Sequence, residues 1–212
     1  MVRFDPRSLK YVLEAIEGAG SVGLGSGSTV AAFLRFASER GALGPGSTFF
    51  PSSLQIATVA REIGLRLGST RLMGKMQVTV DGADQVLEGG VCIKGGGGAL
   101  LMEKILWSAS GKIFVLAARE KFSARLSVPI PVEVHPAAVG GLLDRLAQLG
   151  GKGEVRASAR GYPFTSEGGN LVVDAAFGSP DLSSLEKELK LVPGVAEVGI
   201  FRFPNAVLHA LE

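Results

Sequence analysis

The sequence predicts an α/β protein: a Rossmann-like domain built on an open, mostly parallel sheet, joined to a smaller ferredoxin-like α+β domain. Three observations carry this. Short β-branched runs alternate with helical apolar spacing from the N-terminus to about residue 116, the order that builds a parallel sheet with crossover helices. The pattern then changes after Pro129-Ile-Pro131 to β-α-β-β-α-β, the split βαβ unit. Finally, the 30 glycines concentrate at the joints between elements, where backbone approaches backbone or ligand closely.

The elements follow in order. Residues 8–18 have helical apolar spacing with Ser8 as an N-cap, and residues 21–24 form a short buried strand that runs into Gly25-Ser-Gly-Ser-Thr29 and a helix through residues 31–37. A strand at 48–50, the turn Pro51-Ser-Ser53 and a helix at 54–64 come next. Residues 77–80 make a strand ending in Asp81-Gly-Ala-Asp84, and residues 91–93 a further parallel strand ending in Lys94 and the glycine loop. A helix at 99–109 and a strand at 112–116 complete the alternation. Beyond it come a strand at 132–134, a helix at 137–149, strands at 153–159 and 170–177, a helix at 181–190 and a strand at 195–201. The expected domains are residues 1–127 with 200–212, the tail returning to the first sheet, and residues 128–199.

Composition narrows the function. A chain of 212 residues, 46% hydrophobic and 20% charged, is long enough for a sizeable core. Its formal net charge is +2, with no basic run or aromatic-interleaved stripe, so nucleic acid is not an expected partner. No segment approaches the ~20 apolar residues that span a bilayer, and the charged, Pro-interrupted N-terminus is no signal peptide, so we expect a cytoplasmic protein with no membrane partner. The single cysteine, Cys92, lies in an apolar run and reads as core packing in a reducing compartment.

Chemistry concentrates in one stretch. Lys94 and Gly95, Gly96 and Gly97 of the glycine run, with Glu103 just beyond and Asp81-Gly82-Ala83-Asp84 just before, combine a cation, free amides and three carboxylates. These are the ingredients for moving a proton beside a carbonyl on an anionic substrate. Asp81 and Asp84 follow a strand of the parallel sheet, the edge at which open α/β proteins bind ligands; Asp-Gly is also an ordinary turn dipeptide, and Asp84 also fits a helix cap. Glu103 lies about one turn into its helix, where a carboxylate also complements the helix dipole.

Gly23-Leu-Gly-Ser-Gly-Ser-Thr29 sits where a strand enters a helix, so Ser26, Gly27, Ser28 and Thr29 are candidates to hold a phosphate or carboxylate; a purely structural turn is the plainer reading. No lysine follows Gly27 as in a Walker A loop. Ser28 occupies the sixth position of the dinucleotide fingerprint, and the next strand ends without a ribose-binding acid, which weakens a nicotinamide cofactor. Lys121 follows the strand at 112–116 and is a candidate for the same ligand edge. His135 and His209 have neither metal-ligand nor triad spacing and are assigned to structure or surface, so no metal site is expected.

Together these residues resemble the type A ribose-5-phosphate isomerases: Gly23–Thr29, Pro51-Ser-Ser53, Asp81–Asp84, Lys94–Gly97 with Ala99-Leu100, Glu103-Lys104, Lys121 and Pro131-Val-Glu-Val134 occur in that family's order and spacing. The resemblance implies interconversion of D-ribose 5-phosphate and D-ribulose 5-phosphate in the non-oxidative pentose phosphate pathway, without metal or organic cofactor, in a homodimer or homotetramer. It assigns Glu103 as the base moving a proton between C2 and C1 through a cis-enediolate. Asp81 would assist ring opening and proton transfer at the sugar oxygens, Lys94 and the loop amides would stabilise the enediolate, and Asp84 would hold hydroxyls. Ser26–Thr29 and Lys121 would take the phosphate, with Lys10 a further candidate. Ser26, Gln85, Ala118 and Glu120 depart from the family pattern, the last two beside Lys121. A sugar-phosphate sensor without catalysis is the competing reading, since fold does not fix function, and retention of Glu103 argues against it.

Overall fold

The computed structural model describes residues 3–212, which divide into two compact units. Among the described residues the first comprises 3–83, 102–122 and 203–212, and the second 84–101 and 123–202. The segments 84–101, 123–127 and 200–202, expected with the first domain, therefore group with the second.

The first unit holds α1 (Lys10–Glu17), β1 (Ser21–Leu24), α2 (Ser28–Ser38), β2 (Thr48–Pro51), α3 (Leu54–Glu62) and β3 (Met76–Gly82). Its sheet is parallel throughout, in the order β13-β6-β3-β1-β2, where β6 is Ser110–Ala118 and β13 is Ala206–Leu211. From β1 the chain pairs first to one side with β2 and then to the other with β3, so the strand order reverses between β1 and β3. Ligands bind at such a switch point, outside the carboxyl ends of the strands. Val22, Leu24, Val78, Val80, Phe114 and Leu116 from the sheet meet Val30, Phe33 and Leu34 of α2 in one core; burying each such side chain contributes about 1.5–3 kcal/mol. Ser53 caps α3, its hydroxyl accepting from the Ile56 N–H at 3.3 Å. Ser8 caps nothing: α1 starts after Leu9, and the Ser8 hydroxyl donates to Asp5 O instead.

His209 on β13 packs against the Phe114 ring, centroids 5.7 Å apart, with its Nε2 enclosed and without a hydrogen-bond partner. Burial lowers its pKa below the ordinary 6.5. The unfolded chain then binds the proton more readily than the folded one, so this contribution to stability is complete above about pH 6.5 and is lost as pH falls through the lower folded value. Thermal melts of the wild type should drop between pH 7.5 and 5 more steeply than those of His209→Leu. Equal slopes would place the acid sensitivity elsewhere.

The second unit contains β4 (Gln85–Leu87), β5 (Cys92–Ile93), β8 (Ile130–Val134), α5 (Val139–Gln148), β9 (Lys152–Val155), β10 (Leu171–Ala176), α6 (Leu182–Lys190), β11 (Val195–Val198) and β12 (Ile200–Phe201). From β8 to β11 the order is β-α-β-β-α-β, and the antiparallel sheet runs β11-β8-β10-β9. Val132, Val134, Val173 and Val198 of the sheet pack against Leu142, Leu146, Leu185 and Leu189 of the two helices.

The parallel strand expected at 91–93 is not one. β5 pairs antiparallel with β4 and β12 in a small sheet ordered β12-β5-β4-β7, where β7 (Phe122–Ser123) lies at the passage between units. The cause is local. Gly89 and Gly90 take φ of 76° and 79° and reverse the chain directly after β4, whereas a parallel neighbour of β3 would need a crossover of a dozen residues or more.

Candidate active site

In the first unit, chemistry collects at the switch point. Gly25 leaves β1 with its N–H donating to Val80 O at 2.8 Å. A Cβ at Gly25 would fall on the Asp81 carboxyl group, with even the farther oxygen only 2.6 Å away. This glycine, read from sequence as part of an anion loop, therefore makes room for Asp81. Asp81 is fully buried; Oδ1 accepts from the Gly82 N–H at 2.7 Å and Oδ2 from the Trp107 indole N–H at 2.6 Å.

Trp107 belongs to α4 (Leu100–Ala109), four residues after Glu103 and hence one turn along the same face. Glu103 is 3% exposed, and its Oε1 accepts from the Ser26 N–H at 3.0 Å. One helix face thus fixes two buried carboxylates of the switch point, Asp81 through an indole and Glu103 against a backbone amide. Close approach of α4 is possible because β1 carries Gly23, whose Cβ would stand 3.4 Å from Leu106 and overlap the Thr79 hydroxyl. Sequence reading missed Trp107, although its i+4 spacing from Glu103 was available.

The anion loop divides its amides. Ser26 N–H goes to Glu103 and Gly27 N–H to Gln55 Oε1 at 3.2 Å, while the Ser26 and Ser53 hydroxyls bond to each other. Gly27, at φ 104°, precedes α2 without capping it by a side chain. The amides of Ser28 and Thr29 therefore have no intrahelical partner and stand at the positive end of an 11-residue helix. A Cβ at Gly82 would lie 3.8 Å from the Thr29 Cβ, and the next residue, Ala83, accepts at its carbonyl from Lys121 Nζ at 2.7 Å. The Lys121 ammonium is thereby held beside the Asp81–Asp84 turn with neither Ala118 nor Glu120 preventing it. Lys10 instead makes an exposed 3.7 Å pair with Glu14.

In the second unit, Asp84 Oδ2 accepts from the Gly96 N–H at 2.7 Å, and a Cβ at Gly96 would come within 2.7 Å of Oδ1. Gly95 has φ 114° and Gly98 φ 74°, conformations that favour glycine; Gly96 and Gly97 are exposed at the tip. Lys94 is 3% exposed, tied by its N–H to Gly199 O at 3.0 Å, with Nζ 5.5 Å from the Phe201 ring centroid, within range of cation–π attraction. Gln85 is buried and straps the chain to Ser127 and the Arg125 carbonyl. Among the described residues no group of three or more His, Cys, Asp or Glu side chains is placed to hold a metal ion, and no helix is long and apolar enough to cross a membrane. His135 caps the turn before α5 through the Ala137 N–H, and Cys92 is fully buried in β5.

The family model for ribose 5-phosphate isomerase A (phosphoriboisomerase A) matches residues 48–210, most of the chain. The chain belongs to the ribose 5-phosphate isomerase A family. Ribose-5-phosphate isomerase A of Sinorhizobium medicae is 40% identical over 212 residues, covering 93% of this chain and 90% of the relative. That of Natronomonas pharaonis is 39% identical over 197 residues, covering 92% and 87%. Among solved structures, ribose 5-phosphate isomerase A from Methanocaldococcus jannaschii superposes with a TM-score of 0.86 at 29% identity over 97% of this chain and 95% of its own. A D-ribose-5-phosphate isomerase in complex with phospho-erythronic acid does so with 0.87 at 33% identity, covering 96% and 92%. Asp81, Asp84, Lys94, Glu103 and Lys121 all fall inside the segment matched by the ribose 5-phosphate isomerase A model, whereas Ser26–Thr29 precede it.

Proposed function

We propose that this chain, as a ribose 5-phosphate isomerase A, interconverts D-ribose 5-phosphate and D-ribulose 5-phosphate with Glu103 as the proton-transferring base. The observation that carries the assignment is a buried carboxylate held at one oxygen by the Ser26 N–H, on the helix face that also anchors Asp81 through Trp107. In the open-chain aldose, Glu103 takes the proton from C2, the electron pair moves into the C1–C2 bond, and charge accumulates on O1. Returning the proton to C1 gives the ketose. Asp81 serves ring opening and the proton exchange between O1 and O2, Lys94 and the loop amides stabilise the enediolate oxygen, and Asp84 holds hydroxyls. The reading includes a cytoplasmic homo-oligomer that uses neither metal nor organic cofactor. Purified protein dialysed against a strong chelator should convert ribose 5-phosphate to ribulose 5-phosphate; absence of turnover in the undialysed protein would overturn the assignment.

The phosphate is assigned to the α2 N-terminus. Ser28 and Thr29 supply amides and hydroxyls there, and Lys121 supplies a charge. Replacing Ser28 and Thr29 together by alanine should raise KM for ribose 5-phosphate by about 10²–10⁴-fold, since two hydroxyl hydrogen bonds to a charged group, worth about 1.5–3 kcal/mol each, are lost. Residual activity on unphosphorylated ribose should hardly change. Equal effects on both sugars would put the phosphate elsewhere.

A further inference from the structure

Four consecutive glycines make a poor oxyanion site on their own. Glycine loses more conformational freedom on ordering than any other residue, and an amide stabilises developing charge only if it is already aimed. The loop closes on itself through the Gly98 N–H, which donates to the Gly95 carbonyl at 3.0 Å, and the side chain that grips it from outside, within the second unit, is Arg156.

The planar guanidinium is used along both edges. Nε donates to Asp174 Oδ2 at 2.8 Å and Nη2 to Asp174 Oδ1, a bidentate pair with side chains only 15% and 25% exposed. Nη1 donates to Gly95 O at 2.7 Å and Gly96 O at 3.0 Å. Asp174 lies on β10, paired on both sides by β8 and β9, so the anchor of the fork is a sheet residue. A trans peptide points its C=O and N–H in opposite directions. Drawing the Gly95 carbonyl to Arg156 therefore turns the Gly96 N–H away from it, and there Asp84 Oδ2 accepts it at 2.7 Å. Drawing the Gly96 carbonyl the same way turns the Gly97 N–H to that side as well. The far end of the loop is tied separately: the Gly98 carbonyl accepts from the Glu167 N–H at 3.0 Å. That turn is itself pinned by buried Glu133, whose Oε1 accepts from Ser166 Oγ at 2.7 Å and Asn170 Nδ2 at 2.9 Å.

We propose that Arg156, aligned by Asp174, is a positioning residue for isomerisation: it grips two successive carbonyls of the glycine loop and so seats the Gly96 amide on Asp84 and aims the Gly97 amide to the same side, toward the substrate. This rests on the reading that the loop amides meet the enediolate. A lysine cannot replace the fork, because one ammonium does not bridge two carbonyls while pairing bidentately with a carboxylate.

The test uses Arg156→Lys and the milder Asp174→Asn in the full chain, with wild type and Glu103→Gln alongside. Arg156→Lys should lower kcat for ribose 5-phosphate by about 10–100-fold, somewhat less than deleting an oxyanion donor outright, with KM within about threefold because the phosphate is held elsewhere. Affinity for phospho-erythronic acid, a carboxylate in place of the reacting carbons, should fall in parallel with kcat/KM. Asp174→Asn should move kcat in the same direction by less. Melting temperatures of variants and wild type should agree within a few degrees. Wild-type kcat in Arg156→Lys, a loss confined to KM, unchanged inhibitor affinity, or a kcat loss that merely follows unfolding in both variants would overturn the proposal. An inactive wild type would instead remove the isomerase reading on which it stands.

Discussion

Glu103→Gln is expected to lose turnover of ribose 5-phosphate by at least about 10²–10⁴-fold, the range for removing a general base, while still binding the sugar phosphate. The amide keeps the volume of a 3% exposed side chain and keeps an oxygen to accept the Ser26 N–H. It therefore leaves the end of β1 and the α4 face in place, but it cannot accept the C2 proton. Two measurements separate chemistry from binding: the rate of ribulose 5-phosphate formation, and calorimetric titration with ribose 5-phosphate. Solvent deuterium should also cease to enter the product at C1. A variant that turns over near the wild-type rate would eliminate Glu103 as the base.

Gly25→Ala should be nearly as damaging, for a reason unconnected with phosphate. Gly25 does not have a positive φ, so its backbone accepts alanine; the obstacle is that the new methyl group occupies the place of the Asp81 carboxyl group. Asp81 must move, and in moving it loses the Gly82 N–H and the Trp107 indole N–H. We expect kcat to fall by about 10²-fold or more, in line with loss of an acid–base group, and stability to fall by about 1–3 kcal/mol from overpacking. Trp107 is the only tryptophan in the chain, so intrinsic fluorescence reads this contact directly, and its emission should shift. Unchanged emission together with unchanged kcat would show that the collision is relieved without disturbing Asp81.

The parallel sheet was legible because each of its strands is followed by a helix or turn with its own periodicity, and the split βαβ unit because its apolar spacing changes period at recognisable turns. The hairpin of β4 and β5 was not: strands of three and two residues carry no period, and Glu88-Gly-Gly90 was the one signal that the chain reverses. Within the site, Asp81, Glu103 and Lys94 stood out because a carboxylate or ammonium beside glycines is locally unusual. The role of Gly25 depends on a side chain 56 positions later, and that of Arg156 on carbonyls some 60 positions earlier. Neither contact has a local signature, and the same glycine serves equally well as a phosphate loop until Asp81 is seen beside it.

The order of synthesis runs against the order of the first sheet. β13 covers the free side of β6, and residues 123–202, the larger part of the second unit, lie between them in sequence. A nascent chain growing at about 5–20 residues per second thus carries β6 as an unpaired edge for roughly 4–20 s, the state in which strands most readily recruit foreign partners. Before β13 emerges, the ferredoxin-like sheet already has all its strands and the sheet bearing Asp81 does not, so Asp81, proposed here as an acid–base group, sits on a sheet that closes only after the other unit's.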